Sequence, residues 1–130
     1  MSKKENVRRR MAQYPNYYWN EERETLSPRA REKLILKRIQ DQLEYAYNRI
    51  PFYRRHYDAH GFKPEMVKTL EDFTTRVPVI RKAMLVDDQE QNPPFGSYLG
   101  VSPDEVARIH GSSGTSGRPT FYGVDRKSVV

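Results

Sequence analysis

Residues 109–120 read Ile-His-Gly-Ser-Ser-Gly-Thr-Ser-Gly-Arg-Pro-Thr, and their types and spacing favour one chemistry, the holding of a polyphosphate. Gly111, Gly114 and Gly117 are interleaved with Ser112, Ser113, Thr115 and Ser116, and Arg118 and Pro119 follow. Glycine lets a ligand approach the main chain closely, and successive backbone N–H groups that turn inward form a concave anion site. The hydroxyls add donors, and the Arg118 guanidinium adds a planar charge matched to phosphate oxygens. Two familiar phosphate loops do not fit. A Walker-type loop needs Gly, four residues and then Gly-Lys-Ser/Thr, and Pro119 stands where the hydroxyl residue would be. The dinucleotide fingerprint needs Gly-x-Gly-x-x-Gly, whereas these glycines repeat every third residue.

The elements that must position this run are strands rather than a helix start. Val106 to Ile109 before it and Phe121 to Val124 after it have strand-like composition, so the loop is expected to hang between two strands. A Gly/Ser run can also be no more than a flexible connection. Its shortness, its regular pattern and its strand flanks favour a ligand loop.

Ser112 to Thr120 resembles the phosphate-binding loop of the adenylate-forming enzymes, the acyl-CoA synthetase and ligase superfamily. The wider phrase Arg108 to Thr120 is most similar to the phenylacetate-CoA ligase branch. That branch usually carries Ala at the position of Gly111, Thr at Ser116 and Lys at Arg118, changes that keep small size, hydroxyl and charge. Thr120 fits the branch as well. Weaker likenesses follow in the family's order at Tyr18-Trp19-Asn20, Glu24 to Ser27, Ile50 to Tyr53, Leu70 to Phe73, Val77-Pro78 and Pro94-Phe95-Gly96.

The resemblance implies an α/β fold, seen here as an N-terminal helical lead-in plus the first strands of a large α/β domain, so that the segment itself is mostly α. Charge and aromatic content mark a basic, aromatic arm over 1–26, and the resemblance implies the lead-in over 27–100 and the start of an AMP-binding domain over 101–130. It further implies that Ser112, Ser113, Gly114, Thr115, Ser116, Gly117, Arg118 and Thr120 contact the ATP phosphates. The implied reaction has two steps: a carboxylate attacks the α-phosphate of ATP to give an acyl-adenylate and pyrophosphate, and coenzyme A then takes the acyl group as a thioester. The partners implied are a small carboxylic acid of the arylacetate kind, ATP with Mg2+, and coenzyme A. A cytoplasmic location and a homodimer of the intact enzyme are further expectations. The family's adenine, ribose and catalytic lysine segments are expected beyond residue 130, and no catalytic acid, base or nucleophile is expected within the chain. Relatives that adenylylate a deazaflavin or act beside sugar metabolism share the pattern and stand as alternatives.

Composition sets bounds on the rest. The chain has 130 residues, 36% hydrophobic, with mean hydropathy −0.92. Charges are of mixed sign and aromatics are plentiful, which argues against general disorder. There is no cysteine, hence no disulfide framework or thiol chemistry, consistent with a reducing cytosol. No apolar run approaches a membrane span, and no signal-peptide core follows the basic start. Residues 1–10 carry five basic side chains against one glutamate, most of the net charge of +6. With Tyr14 to Trp19 such an arm can serve nucleic acid, but no RNA-binding signature accompanies it. A solvated, frayed terminus is the better expectation, with Tyr17, Tyr18 and Trp19 as apolar anchors.

Ser27-Pro28 reads as a helix start, and Ile35, Ile39, Leu43, Ala46 and Ile50 fall on one face of the helix that follows. Pro51 ends it and opens a second helix to about Ala59, which Gly61 terminates. His56 and His60 have the spacing of a zinc pair, but Tyr57 replaces the motif's glutamate and no third ligand is evident, so no metal site is expected. Thr69 with Asp72 reads as a cap, Val77 to Ile80 as extended, Arg81 to about Asp88 as a helix, and Asn92 to Gly96 as a loop. Ser102-Pro103-Asp104-Glu105 is a capping box leading into the first strand. Asp125 is placed to cap a helix beginning Arg126-Lys127-Ser128.

Overall fold

The structure, a computed structural model, describes residues 2–12, 18–113 and 117–127. It is mostly helical with one two-stranded sheet, and it divides into two units, 1–35 and 36–130.

In the first unit, helix α1 spans Lys3–Ala12 and the one-turn helix α2 spans Glu21–Glu24. The terminus expected to fray is therefore helical. Its start carries a reciprocal cap between Ser2 and Glu5. The Glu5 N–H donates to the Ser2 hydroxyl at 3.2 Å, and the Ser2 N–H donates to the Glu5 carboxylate at 2.7 Å. Trp19, expected to anchor its segment, is 100% exposed. Asn20 caps α2 by accepting from the Arg23 N–H at 3.0 Å.

Helix α3, Pro28–Arg49, crosses the division. Ser27 caps it through the Ala30 N–H, as its type predicts. Of the apolar stripe, Ile35 is 42% exposed, while Leu43, Ala46 and Ile50 are buried. In the second unit, helix α4, Pro51–Ala59, follows directly, with Pro51 in the first turn where its missing donor costs nothing. The end of α4 is a full Schellman motif. Gly61, at φ +63°, donates to Asp58 C=O, and Phe62 donates to Tyr57 C=O at 2.9 Å. The positive φ favours glycine here. The turn drops Phe62 onto Tyr57, with ring centroids 4.9 Å apart. Leu43, Tyr57, Phe62 and Val67 form one core cluster; Ala46, Ile50 and Phe52 form a second, packed by Ile80, Met84, Leu85 and Tyr98.

Helix α5, Leu70–Arg76, begins at the Thr69–Asp72 capping box. Helix α6 spans Lys82–Gln91, about one turn further than expected. Asn92 then closes back on Asp88 C=O, and a single turn of 3₁₀ helix over Gly96–Tyr98 follows the Pro93–Pro94 loop. Another 3₁₀ turn, Pro103–Glu105, is tied by Ser102 N–H to the Glu105 carboxylate at 3.0 Å and leads into strand β1, Val106–Gly111. Strand β2, Phe121–Asp125, pairs with β1 antiparallel, Gly111 opposite Phe121 and Val106 opposite Asp125, with an irregularity between Val106 and Arg108. Asp125 is the last residue of β2, and the helix it is expected to cap would run into residues 128–130, which lie outside the described residues.

The titration of buried tyrosines predicts the alkaline edge of stability. Burial, with the neighbouring Tyr53 adding, pushes the Tyr57 hydroxyl up to about 12. Burial, then Tyr122 and Asp88, does the same for Tyr98. A group whose folded pKa lies above its ordinary value of 10.0 stabilises fully below that pH and loses the contribution as pH rises toward 12. At the acid edge, the Lys68 N–H first and the Thr69 hydroxyl next hold Asp72 below its ordinary 3.8. That contribution is present above 3.8 and is lost as pH falls through the folded value. Thermal melts across pH should therefore show a plateau with both edges at these limits, the alkaline fall coinciding with late-titrating tyrosinate absorbance. A melting temperature falling well before pH 10 would contradict this.

Candidate functional site

The candidate loop is closed by the strands that flank it. Past the Gly111–Phe121 pair, Ser112 N–H donates to Thr120 C=O at 2.9 Å. Thr120 N–H donates to the Ser112 hydroxyl oxygen at 2.9 Å, so a side chain completes the ladder. The Thr120 hydroxyl lies 3.2 Å from Ser112 Oγ and 2.9 Å from the Tyr122 hydroxyl. Thr120 is fully buried, at 0% exposure. Such a network is stabilising because each buried polar atom has a partner. Its position makes Thr120 a latch at the base of the loop. Ser112 shares that latch and is half-buried.

The other predicted residues separate cleanly. Ser113, Gly117 and Arg118 are exposed. Gly114, Thr115 and Ser116 lie outside the described residues. Gly117 has φ +118°, a conformation that side chains strain, so its glycine is a requirement of the turn. Gly111 is different: a methyl there would touch the Phe121 ring at 3.4 Å, an ordinary contact. Arg118 is 72% exposed and its guanidinium pairs with the carboxylate of Glu90 on α6. Exposed pairs of this kind contribute about 0–1 kcal/mol, so a stronger anion can displace the carboxylate. Lys82, Asp87 and Glu90 of α6 and Gly117 and Arg118 of the loop line one shallow depression.

Helix α6 holds the hairpin through two further residues, both absent from the motif reading. Gln89 Oε1 accepts from the Phe121 N–H at 2.8 Å and from the Tyr98 hydroxyl at 2.6 Å. Tyr98 also lies 3.1 Å from Phe121 C=O. Asp88, only 8% exposed, accepts from Ser97 N–H at 2.6 Å and Ser97 Oγ at 2.7 Å, and pairs with Arg55 of α4 at 2.9 Å. It thereby fixes the turn that presents Tyr98. No single-residue type or spacing announces this cluster; it joins three segments far apart in the chain. Gly123 belongs with it, since a Cβ there would come within 2.9 Å of Leu99 and Val106.

His56 and His60 are brought together, with rings 4.5 Å apart, but His60 Nδ1 lies 2.8 Å from His56 C=O. Among the described residues no group of three or more His, Cys, Asp and Glu is arranged to hold a metal ion. No helix among them is long and apolar enough to cross a membrane.

Three relatives show the likeness. A phenylacetate-coenzyme A ligase of Thermus thermophilus is 39% identical over 108 residues, covering 83% of this chain and 23% of the relative. The enzyme of the same name from Aromatoleum evansii is 38% identical over 96 residues, 74% of this chain and 20% of the relative. A crystal structure of 2-hydroxyisobutyryl-CoA ligase in complex with 2-HIB-AMP and CoA, in the thioesterification state, superposes with TM-score 0.80 at 45% identity, over 87% of this chain and 24% of that one. The chain thus spans less than a quarter of the length of the curated relatives it matches. No family model matches it.

Proposed function

The chain belongs to the adenylate-forming CoA ligases, and from that premise we propose that it supplies the phosphate-contacting loop of an ATP-dependent acid–thiol ligase. The ligase is cytoplasmic, and its 101–130 segment opens the AMP-binding domain. The observation that carries the reading is the latched hairpin. Ser112 and Thr120 close its base, and the left-handed Gly117 and exposed Ser113 and Arg118 lie in the segment beyond. A base held by strands and a tip rich in donors suits an anion that must enter, react and leave.

In the first half-reaction a carboxylate oxygen attacks the α-phosphorus of ATP and the bond to the bridging oxygen of pyrophosphate breaks. Negative charge builds on that leaving group. Ser113, Thr115, Ser116 and the N–H groups of the loop donate to the β- and γ-phosphate oxygens, and Arg118 exchanges Glu90 for phosphate. This is electrostatic stabilisation of developing charge, with the latch supplying orientation. Ser112 and Thr120 act by holding the frame. Magnesium would be held through the phosphate oxygens of the nucleotide beside the loop, where it would offset their charge. In the second half-reaction the thiol of coenzyme A attacks the acyl carbon and AMP leaves, so the pyrophosphate contacts no longer contribute.

The acid is of the arylacetate class, as in the relatives named for phenylacetate. The structural likeness to a ligase named for 2-hydroxyisobutyrate supports a small branched hydroxy acid as the second reading. The experiment is ATP–pyrophosphate exchange by the full-length protein with Mg2+ and each acid in turn. Exchange with phenylacetate well above 2-hydroxyisobutyrate is expected. The reverse order replaces the acid, and no exchange with any carboxylate removes the ligase reading. The isolated 130 residues, tested alongside, should form no coenzyme A thioester.

A further inference from the structure

The geometry points to Gln89 as a positioning residue for the phosphate loop, acting through the Phe121 peptide. The inference rests on the proposed function above.

Phe121 is the first residue after the latch and the first of β2. Its peptide is held on both sides by side chains of the preceding segments. The N–H donates to Gln89 Oε1 at 2.8 Å, and the C=O lies 3.1 Å from the Tyr98 hydroxyl. In an antiparallel ladder these groups point away from the partner strand at every second residue, leaving an edge that seeks hydrogen bonds. Gln89 satisfies the N–H as a third strand would, and the single hydroxyl hydrogen of Tyr98 is divided between the Phe121 C=O and Gln89 Oε1. Tyr98 also donates to Gln89 at 2.6 Å, so the two are coupled. The N–H of Phe121 is a donor only, which establishes that the Gln89 atom facing it is the carbonyl oxygen. Both bonds at that atom therefore need an acceptor and make no use of the amide NH₂.

The arrangement gives Gln89 a task that packing alone does not. Thr120 is tied across the hairpin to Ser112, and Phe121 is tied outward to α6. Two consecutive peptides are thus held from opposite sides, and this sets the angle at which the chain passes from Arg118 and Pro119 into β2. Asp88, the preceding residue of α6, holds the turn carrying Tyr98 through Ser97. One helical turn therefore places both partners of the Phe121 peptide. The neighbouring Glu90 meets Arg118 from the same helix, so α6 grips the loop exit and its cation together.

The test compares Gln89→Leu with Gln89→Glu in the full-length ligase. Glutamate keeps an acceptor at the same reach, and leucine removes it at similar size. For Gln89→Leu, the KM for ATP in pyrophosphate exchange should rise roughly three- to tenfold, the range expected from losing one or two net hydrogen bonds. Thioester formation from supplied acyl-adenylate should stay at the wild-type rate. The Phe121 amide should exchange its hydrogen about tenfold faster or more, as a local opening. Gln89→Glu should restore the ATP dependence. Tyr98→Phe, which keeps the ring and removes one of the two bonds, should fall between and serves if the leucine variant does not fold. An unchanged KM for ATP in Gln89→Leu, equal losses in both half-reactions, or a glutamate variant as impaired as leucine would overturn the assignment. A wild-type enzyme without exchange activity would instead remove the proposed function, and this inference with it.

Discussion

In the ligase proposed above, replacing Ser113 and Thr115 together with alanine is expected to slow carboxylate-dependent ATP–pyrophosphate exchange by about 10²-fold or more, with little change in thioester formation from supplied acyl-adenylate. The size follows from what such donors contribute at a developing charge, since loss of one preorganised donor costs on the order of 10²–10³-fold. The selectivity follows from the order of events. Pyrophosphate is present while the first bond breaks and gone before the thiol attacks. Ser113 is exposed and lies outside the Ser112–Thr120 latch, so trimming its hydroxyl leaves the hairpin closure in place. Both rates should be measured on the same double variant. Equal losses would assign the loop to folding, and no loss in either would make it a connection only.

The second large effect is on the scaffold. Phe62→Ala is expected to destabilise the second unit by about 3–5 kcal/mol, the range for emptying a buried aromatic site. Phe62 is 2% exposed and packs edge-on against Tyr57, with Leu43 and Val67 completing the cluster. Its position depends on the left-handed Gly61, so the cavity cannot easily be refilled by moving the chain. Chemical denaturation of the variant against wild type reads the loss directly. A change below about 1 kcal/mol would mean that the Schellman turn, not the ring, secures this end of α4.

Much of this molecule was legible in its residues. Ser27-Pro28, the step of apolar residues through Leu43 and Ala46, the Pro51 break, Gly61 and the Thr69–Asp72 cap all marked element ends where the structure has them. Each is a local signal, in which one side chain satisfies or forbids one backbone group within a turn of itself. The α1 cap was equally local, Ser2-Lys3-Lys4-Glu5, and was obscured only by the charge of the segment around it. The loop's glycines, hydroxyls and Arg118 suggest a phosphate site by type, which is the basis of the function proposed above.

What the tertiary structure alone decided is which of the loop's hydroxyls are consumed within the hairpin and which stay exposed. Ser112 and Thr120 carry hydroxyls like those of Ser113, yet one sits half-buried and the other at 0% exposure, tied across the hairpin. Composition does not distinguish a donor pointed at a ligand from one consumed by its own strand partner. Arg118 meets Glu90, and Phe121 meets Gln89, only because α6 is folded against the loop exit. Those partners are some thirty residues apart in the chain, and no periodicity links them. Spacing reports what a turn of helix or a pleat brings together; contacts between segments are set by how whole faces pack, and become visible only once the chain has folded.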